Sequence, residues 1–188
     1  MALVNSRERW GSVAKGLHWL MAFLLVGMFV GGMVMTDWPQ SDLQTKFQLY
    51  QLHKSFGFVV VALLLLRIVW RLLNPVPPLP ANSSWLTRRA SAISHGTLYA
   101  LMVLVPLTGY LMTSTSTLGL PTVAFGIVPI PHVLGPSATW EAIFKLSHDV
   151  LGKVLMVVVV IHVVAALKHA LLNRDGIFSR MWFGRQTA

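Results

Sequence analysis

Residues 146–167 read LSHDVLGKVLMVVVVIHVVAAL, and this stretch decides the class of the protein. As a helix it spans about 33 Å, enough to cross a hydrocarbon core of about 30 Å. Its only histidines, His148 and His162, are fourteen residues apart, which is close to four full turns. They therefore project from nearly one face, about 21 Å from each other along the axis. A polar ring at membrane depth is costly and is usually kept for a function.

Three further apolar stretches precede it, at 16–36, 52–73 and 95–113, each near the roughly 20 residues a crossing needs. Arg7, Arg9 and Lys15 stand before the first, as in a signal peptide, but the run is too long for an ordinary signal core and no Ala-x-Ala site ends it. It reads as an uncleaved helix. Hydrophobic residues make up 55% of the 188 residues and charged residues 11%, against about 25% charged in soluble domains. The expected fold is an all-α membrane protein, a four-helix transmembrane bundle in a single domain over 1–188. Cysteine is absent. Disulfides, thiolate metal sites, iron–sulfur clusters and covalent haem of the C-x-x-C-H type are excluded, leaving histidine, methionine or carboxylates to hold any metal.

Lysine and arginine orient the chain. With the N-terminus inside, Arg7, Arg9, Lys15, Arg67, Arg71, Arg88, Arg89, Lys168, Arg174, Arg180 and Arg185 fall on the inner side, and Lys46, Lys54, Lys145 and Lys153 on the outer. The acids Asp37, Asp42, Glu141 and Asp149 are outer as well. Both termini are thus expected in the cytoplasm. The net charge of +9 is a topological signal with some attraction to anionic inner-leaflet lipid, and nucleic acid is not an expected partner. The inner connector 74–84 is proline-rich and extended. The outer loop 114–140, with Pro121, Pro129, Pro131 and Pro136 around Phe125, is placed to cap the bundle.

Chain direction sorts four histidines into two levels. His18 lies near the inner end of the first helix and His53 near the outer end of the second. His148 then pairs with His53 outside and His162 with His18 inside. Two imidazoles at one level on facing helices make the axial ligand set of a b-type haem, and two such levels make an electron path across the bilayer. Taken singly, His18 and His53, close to span ends, also read as interfacial residues, whereas His162 sits inside Val-Val-Val-Val-Ile-His-Val-Val-Ala-Ala. Gly27, Gly31, Gly32, Gly57 and Gly152 give room for a flat macrocycle or for close helix packing. Met28, Met33 and Met35 read as core filling rather than iron ligands. His95, at the start of the third helix, is left without a partner and is expected to be dispensable for haem. His132 reads as a solvated loop residue. His169, seven residues beyond His162 on the same face, is a candidate hydrogen-bond partner for a quinone carbonyl, with an interfacial anchor as the alternative.

The segments His18-Trp-Leu, Leu-His53-Lys-Ser-Phe-Gly, Arg67-Ile-Val-Trp-Arg71 with Pro75-Val-Pro-Pro, Val-Pro106-Leu-Thr-Gly109, Ser-His148-Asp and Ile-His162-Val-Val-Ala-Ala-Leu-Lys-His169 occur in this order over nearly the whole chain. The ordered set resembles the bacterial cytochrome b561 family of small four-helix di-haem membrane proteins. The resemblance implies two non-covalent haem b groups with His18, His53, His148 and His162 as axial ligands to iron. It also implies, from a member of that activity, a superoxide:ubiquinone oxidoreductase of the bacterial inner membrane. Superoxide would then be oxidised on the periplasmic side and ubiquinone reduced near the cytoplasmic side.

On that reading Lys54, beside His53, and Lys145, one turn before His148, are candidate catalytic residues that steer an anionic donor. Snorkelling interfacial lysines are the alternative. Two other functions stay open. One is a cytochrome b relay subunit fed by a periplasmic redox protein or dehydrogenase partner, which shares the haems and differs at the outer face. The other is a haem-free membrane scaffold, which an absorption spectrum separates at once.

Overall fold

The computed structural model describes residues 2–80 and 83–182. In chain order the helices are α1 (Ser12–Asp37), α2 (Leu43–Leu73), α3 (Trp85–Ser114) and α4 (Ala138–Lys168). Between α3 and α4 lies an antiparallel hairpin, β1 (Thr122–Ala124) and β2 (Val128–Ile130), with Thr122 opposite Ile130 and Ala124 opposite Val128. All four helices are long and apolar enough to cross a membrane.

Caps set the helix starts. Asp42 accepts the Thr45 backbone N–H at 3.1 Å, Ser84 that of Thr87 at 3.1 Å, and Ser137 that of Trp140 at 3.5 Å. Each satisfies a donor that the first helical turn leaves free. This explains why α2 begins at Leu43 rather than 52, and α3 at Trp85 rather than 95. Hydropathy marks only the part of a helix in hydrocarbon, whereas the cap marks the helix itself. The entry to α1 is built differently. Asn5 Oδ1 accepts the Gly11 N–H at 2.9 Å, and a Cβ at Gly11 would stand 2.3 Å from the Leu3 carbonyl oxygen. Only glycine fits that approach.

The buried centre is small: Met21, Leu64, Leu101, Met102 and Leu155, flanked by Leu25, Phe29, Leu63, Tyr99 and Val158. Large apolar side chains such as Phe23, Leu65, Val157 and Val164 instead point outward. Helices that are apolar all round, with their outer faces uncovered, belong in lipid. The closest packings are α3 on α4, α1 on α2, and α2 on α3. Neither α1–α4 nor α2–α4 is among them.

The two ends of the bundle differ. At one end the N-terminal segment, the 74–84 connector and the C-terminal segment meet. Asn5 donates to the Pro75 carbonyl at 3.0 Å, Arg180 donates to the carbonyls of Pro78 and Glu8, Lys15 Nζ donates to the Trp182 carbonyl at 2.9 Å, and Trp19 Nε1 donates to the Met181 carbonyl at 2.8 Å. The connector is therefore an anchor for both chain ends, more than a spacer. At the opposite end the hairpin lies over α2. Gln51 Nε2 donates to the Pro121 carbonyl at 2.7 Å, the Phe125 N–H donates to Ser55 Oγ at 2.8 Å, and Phe125 stacks edge-on against Phe56. Phe125 and Gly126 turn the hairpin with φ of 52° and 69°. The expected capping of this end is what the structure shows.

Candidate functional site

Four histidines meet in two pairs, each bridging helices that do not pack closely. At the hairpin end His53 of α2 faces His148 of α4, with ring centroids 6.4 Å apart and planes at 89°. At the terminus-bearing end His18 of α1 faces His162 of α4, at 6.3 Å and 62°. Two imidazoles bound to one metal from opposite sides, at about 2 Å per metal–nitrogen bond, have centroids roughly 6 Å apart. Both spacings match. Among the described residues no group of three or more histidine, aspartate or glutamate side chains could hold a bare metal ion. A haem supplies four equatorial nitrogens of its own and asks the protein for only two axial ones.

The hairpin-end pair is held with care. A backbone carbonyl can only accept, so His148 Nδ1 carries the hydrogen it gives to the Val105 carbonyl at 2.9 Å. That leaves the lone pair on Nε2, the state a metal-bound imidazole needs from its surroundings. One turn further along α3, a Cβ at Gly109 would lie 2.9 Å from His148 Cε1 and 3.0 Å from Nδ1. Gly109 is the space the ring occupies. His53 Nδ1 is buried with no hydrogen-bond partner among the described residues, which costs about 1–3 kcal/mol unless something else bonds it. These observations fit a haem at this level.

The terminus-bearing pair has a different setting. Arg67 of α2 donates from Nη2 to His18 Nδ1 at 3.1 Å and from Nε to Tyr99 Oη at 3.1 Å. His95 of α3, expected to stand apart, has its ring 5.4 Å from that of His162. The His18–His162 spacing is the one nearer that of the hairpin-end pair. His95 therefore lines this level, because the rotation of α3 about its own axis turns the ring toward α4.

The remaining candidates are placed as follows. Lys54 is half-buried and donates to Thr122 Oγ1 at 3.2 Å, so the hairpin holds it, while Lys145 is exposed on α4. His132 is exposed on the loop. His169 ends α4, where the helix widens into a π turn (His169–Asn173), and its Nδ1 pairs with Asp175 Oδ2. Burial pulls the Asp175 carboxyl upward, but hydrogen bonds from His169 and the Ile177 N–H outweigh it and hold the group below the usual aspartate range. Of the glycines expected to make room, Gly27, Gly31 and Gly152 would meet no atom within 4 Å with a Cβ added, and Gly32 would meet His53 at 3.6 Å. The one in closest contact with a histidine, Gly109, lay in a quoted motif without a role. Arg67 and Tyr99 were also missed as site residues. Two arginines four apart inside an apolar helix are the signal that marks Arg67.

The chain is similar to known proteins over nearly its whole length. The family described as prokaryotic cytochrome b561 matches residues 9–184. "Cytochrome b561 homolog 2" of Escherichia coli (strain K12) is 32% identical over 182 residues, covering 96% of this chain and 95% of that protein. "Cytochrome b561 homolog 1" of the same organism is 26% identical over 178 residues, covering 93% of this chain and 97% of that protein. "Probable superoxide oxidase CybB" of Yersinia pestis is 24% identical over 180 residues, covering 93% of this chain and 96% of that protein. With four membrane-length helices carrying paired histidines, and a family match over nearly its whole length, this chain belongs to the prokaryotic cytochrome b561 family of membrane electron-transfer proteins that bind haem b.

Proposed function

We propose that the chain moves electrons across the bacterial inner membrane, from superoxide at the hairpin end to ubiquinone at the terminus-bearing end, through two b haems. His53 and His148 hold one haem, His18 and His162 the other. The observation that carries this is the recurrence of the iron-sized imidazole spacing at two places on α4, fourteen residues apart. The lysine and arginine distribution orients the terminus-bearing end to the cytoplasm.

When bound, haem b supplies reversible one-electron storage at each level. Two superoxide ions each give up one electron and leave as dioxygen, and one quinone takes both electrons with two protons to become quinol. The chain's own residues steer the donor and handle protons. Lys145, exposed beside the hairpin-end pair, and Lys54, held by Thr122, draw an anion toward that end. At the other end Asp175 orients His169 through Nδ1. With Nδ1–H given to Asp175, His169 Nε2 is the free lone pair that takes a proton from water and passes it to a quinone oxygen.

The test is direct. Superoxide generated in the presence of purified protein and ubiquinone should reduce the haem α-band and form quinol, and protein without a b-type spectrum would leave only the scaffold reading. In Lys54→Gln/Lys145→Gln protein, haem reduction by superoxide at low salt should slow on the order of tenfold. Raising salt to about 0.1 M, where screening acts within roughly 10 Å, should slow the unaltered protein in the same direction. A rate indifferent to both changes favours the relay reading, for which the exposed hairpin tip at Phe125, Ile127 and Val128 is a protein-docking surface. At the other end, His169→Ala should keep both haems reducible while slowing their reoxidation by ubiquinone by about a hundredfold, the scale of one lost proton-transfer group. Asp175→Asn should fall between the two. Unchanged reoxidation in both variants would return His169 to an interfacial anchor.

A further inference from the structure

Arg67 and Arg71 lie four residues apart on α2, hence side by side on one face. Both guanidinium groups approach the same ring, Tyr99 of α3, at 5.7 and 5.9 Å from its centroid. Like charges in this register repel, and in a membrane helix each charge is costly unless matched. Among the described residues neither arginine is ion-paired: the ion pairs are Lys153–Asp149 and His169–Asp175. No acid occurs anywhere in the chain between Asp42 and Glu141. Two cations are thus concentrated around Tyr99, one of them, Arg67, against His18, with no carboxylate among the described residues paired to either.

The hydrogen bonding points the same way. Arg67 Nε donates to the Tyr99 oxygen, so the Tyr99 hydroxyl hydrogen is free to reach an acceptor of its own. Arg67 Nη2 also donates to His18 Nδ1. Arginine has no acceptor atom, so Nδ1 must accept there and the ring hydrogen sits on Nε2. Iron binding through Nε2 needs that hydrogen on Nδ1, which turns the Arg67 contact from attraction into a clash of donors. The guanidinium must then swing to another acceptor beside the same ring.

We propose that Arg67 and Arg71, with the Tyr99 hydroxyl, form an anion site for the propionate carboxylates of the haem held between His18 and His162, so that Arg67 exchanges its bond to His18 for one to a carboxylate as that haem binds. This rests on the two-haem reading. Arginine suits the role because its planar fork matches a carboxylate with two parallel hydrogen bonds. Removing a positive charge there favours the oxidised haem and lowers the midpoint potential of the terminus-bearing site alone.

The test uses Arg67→Gln, Arg71→Gln and Arg67→Lys proteins, with haem content, a redox titration and redox-difference infrared spectra for each. The hairpin-end haem is the internal control for folding. Arg67→Gln should weaken retention of the terminus-bearing haem or shift its redox equilibrium at least tenfold toward the oxidised form, which is 59 mV for one electron. The propionate bands should move with it. Arg71→Gln, which does not touch His18, should shift the equilibrium in the same direction and keep the haem, and Arg67→Lys should recover most of the shift. Unaltered propionate bands and potentials in Arg67→Gln and Arg71→Gln would overturn the proposal while leaving two haems in place. A shift seen only in bilayers containing anionic lipid would overturn it too, because the bound anion would then be a lipid phosphate. Protein that binds no haem at all would instead remove the two-haem reading itself.

Discussion

Replacing His162 with alanine is expected to leave a protein with one b haem in place of two. His162 is the imidazole facing His18 at 6.3 Å, on a helix pair that does not pack closely enough to bring a substitute backbone ligand. His95 is another imidazole at this level, with its ring 5.4 Å from that of His162, the residue removed. Haem per protein, measured after extraction, should halve, and the low-spin α-band of the terminus-bearing site should vanish while the other remains. Changing His148 or His53 should do the converse. His95→Ala should keep two haems, with altered packing only. Two haems and an unchanged spectrum in His162→Ala protein would refute the pairing.

The second large effect is expected from a residue that binds nothing. Gly109→Val should empty the hairpin-end site as fully as loss of His148 does. The added Cβ would stand 2.9 Å from His148 Cε1, a distance real side chains do not tolerate, so one side must yield. The ring cannot yield freely, because its Nδ1–H is bonded to the Val105 carbonyl one turn earlier on the same helix. α3 cannot retreat easily either, since its contact with α4 is the most extensive in the fold. Overpacking costs about 1–3 kcal/mol, and a lost hydrogen bond about 0.5–1.5 kcal/mol more. Gly109→Ala should weaken haem retention at that end, and valine should abolish it, with the terminus-bearing haem unaltered in both. Full occupancy of both sites in the valine variant would mean that α3 and α4 separate at little cost.

Much of this was legible in the residues. The span count follows from the chemistry of hydrocarbon, which admits long uncharged stretches as helices and little else. The two histidine levels follow from helix rise and chain direction: fourteen residues separate His148 from His162 whatever they touch. Capping residues such as Asp42 and Ser84 were equally visible and mark the true helix starts better than hydropathy did.

Rotation of each helix about its own axis was not legible. In a soluble bundle an apolar stripe recurring every 3.6 residues tells which face turns inward. Here lipid is as apolar as the core, so Leu64 inside and Leu65 outside are the same residue type, and no stripe distinguishes them. Everything that depends on rotation therefore waited for the tertiary structure: Gly109 set against the ring of His148, Arg67 brought between His18 and Tyr99, and His95 turned toward His162. The sequence by itself determined how deep each histidine lies, because depth is counted along the chain. Which neighbours hold it was decided only by packing, because a helix apolar on every side carries no record of the direction it faces.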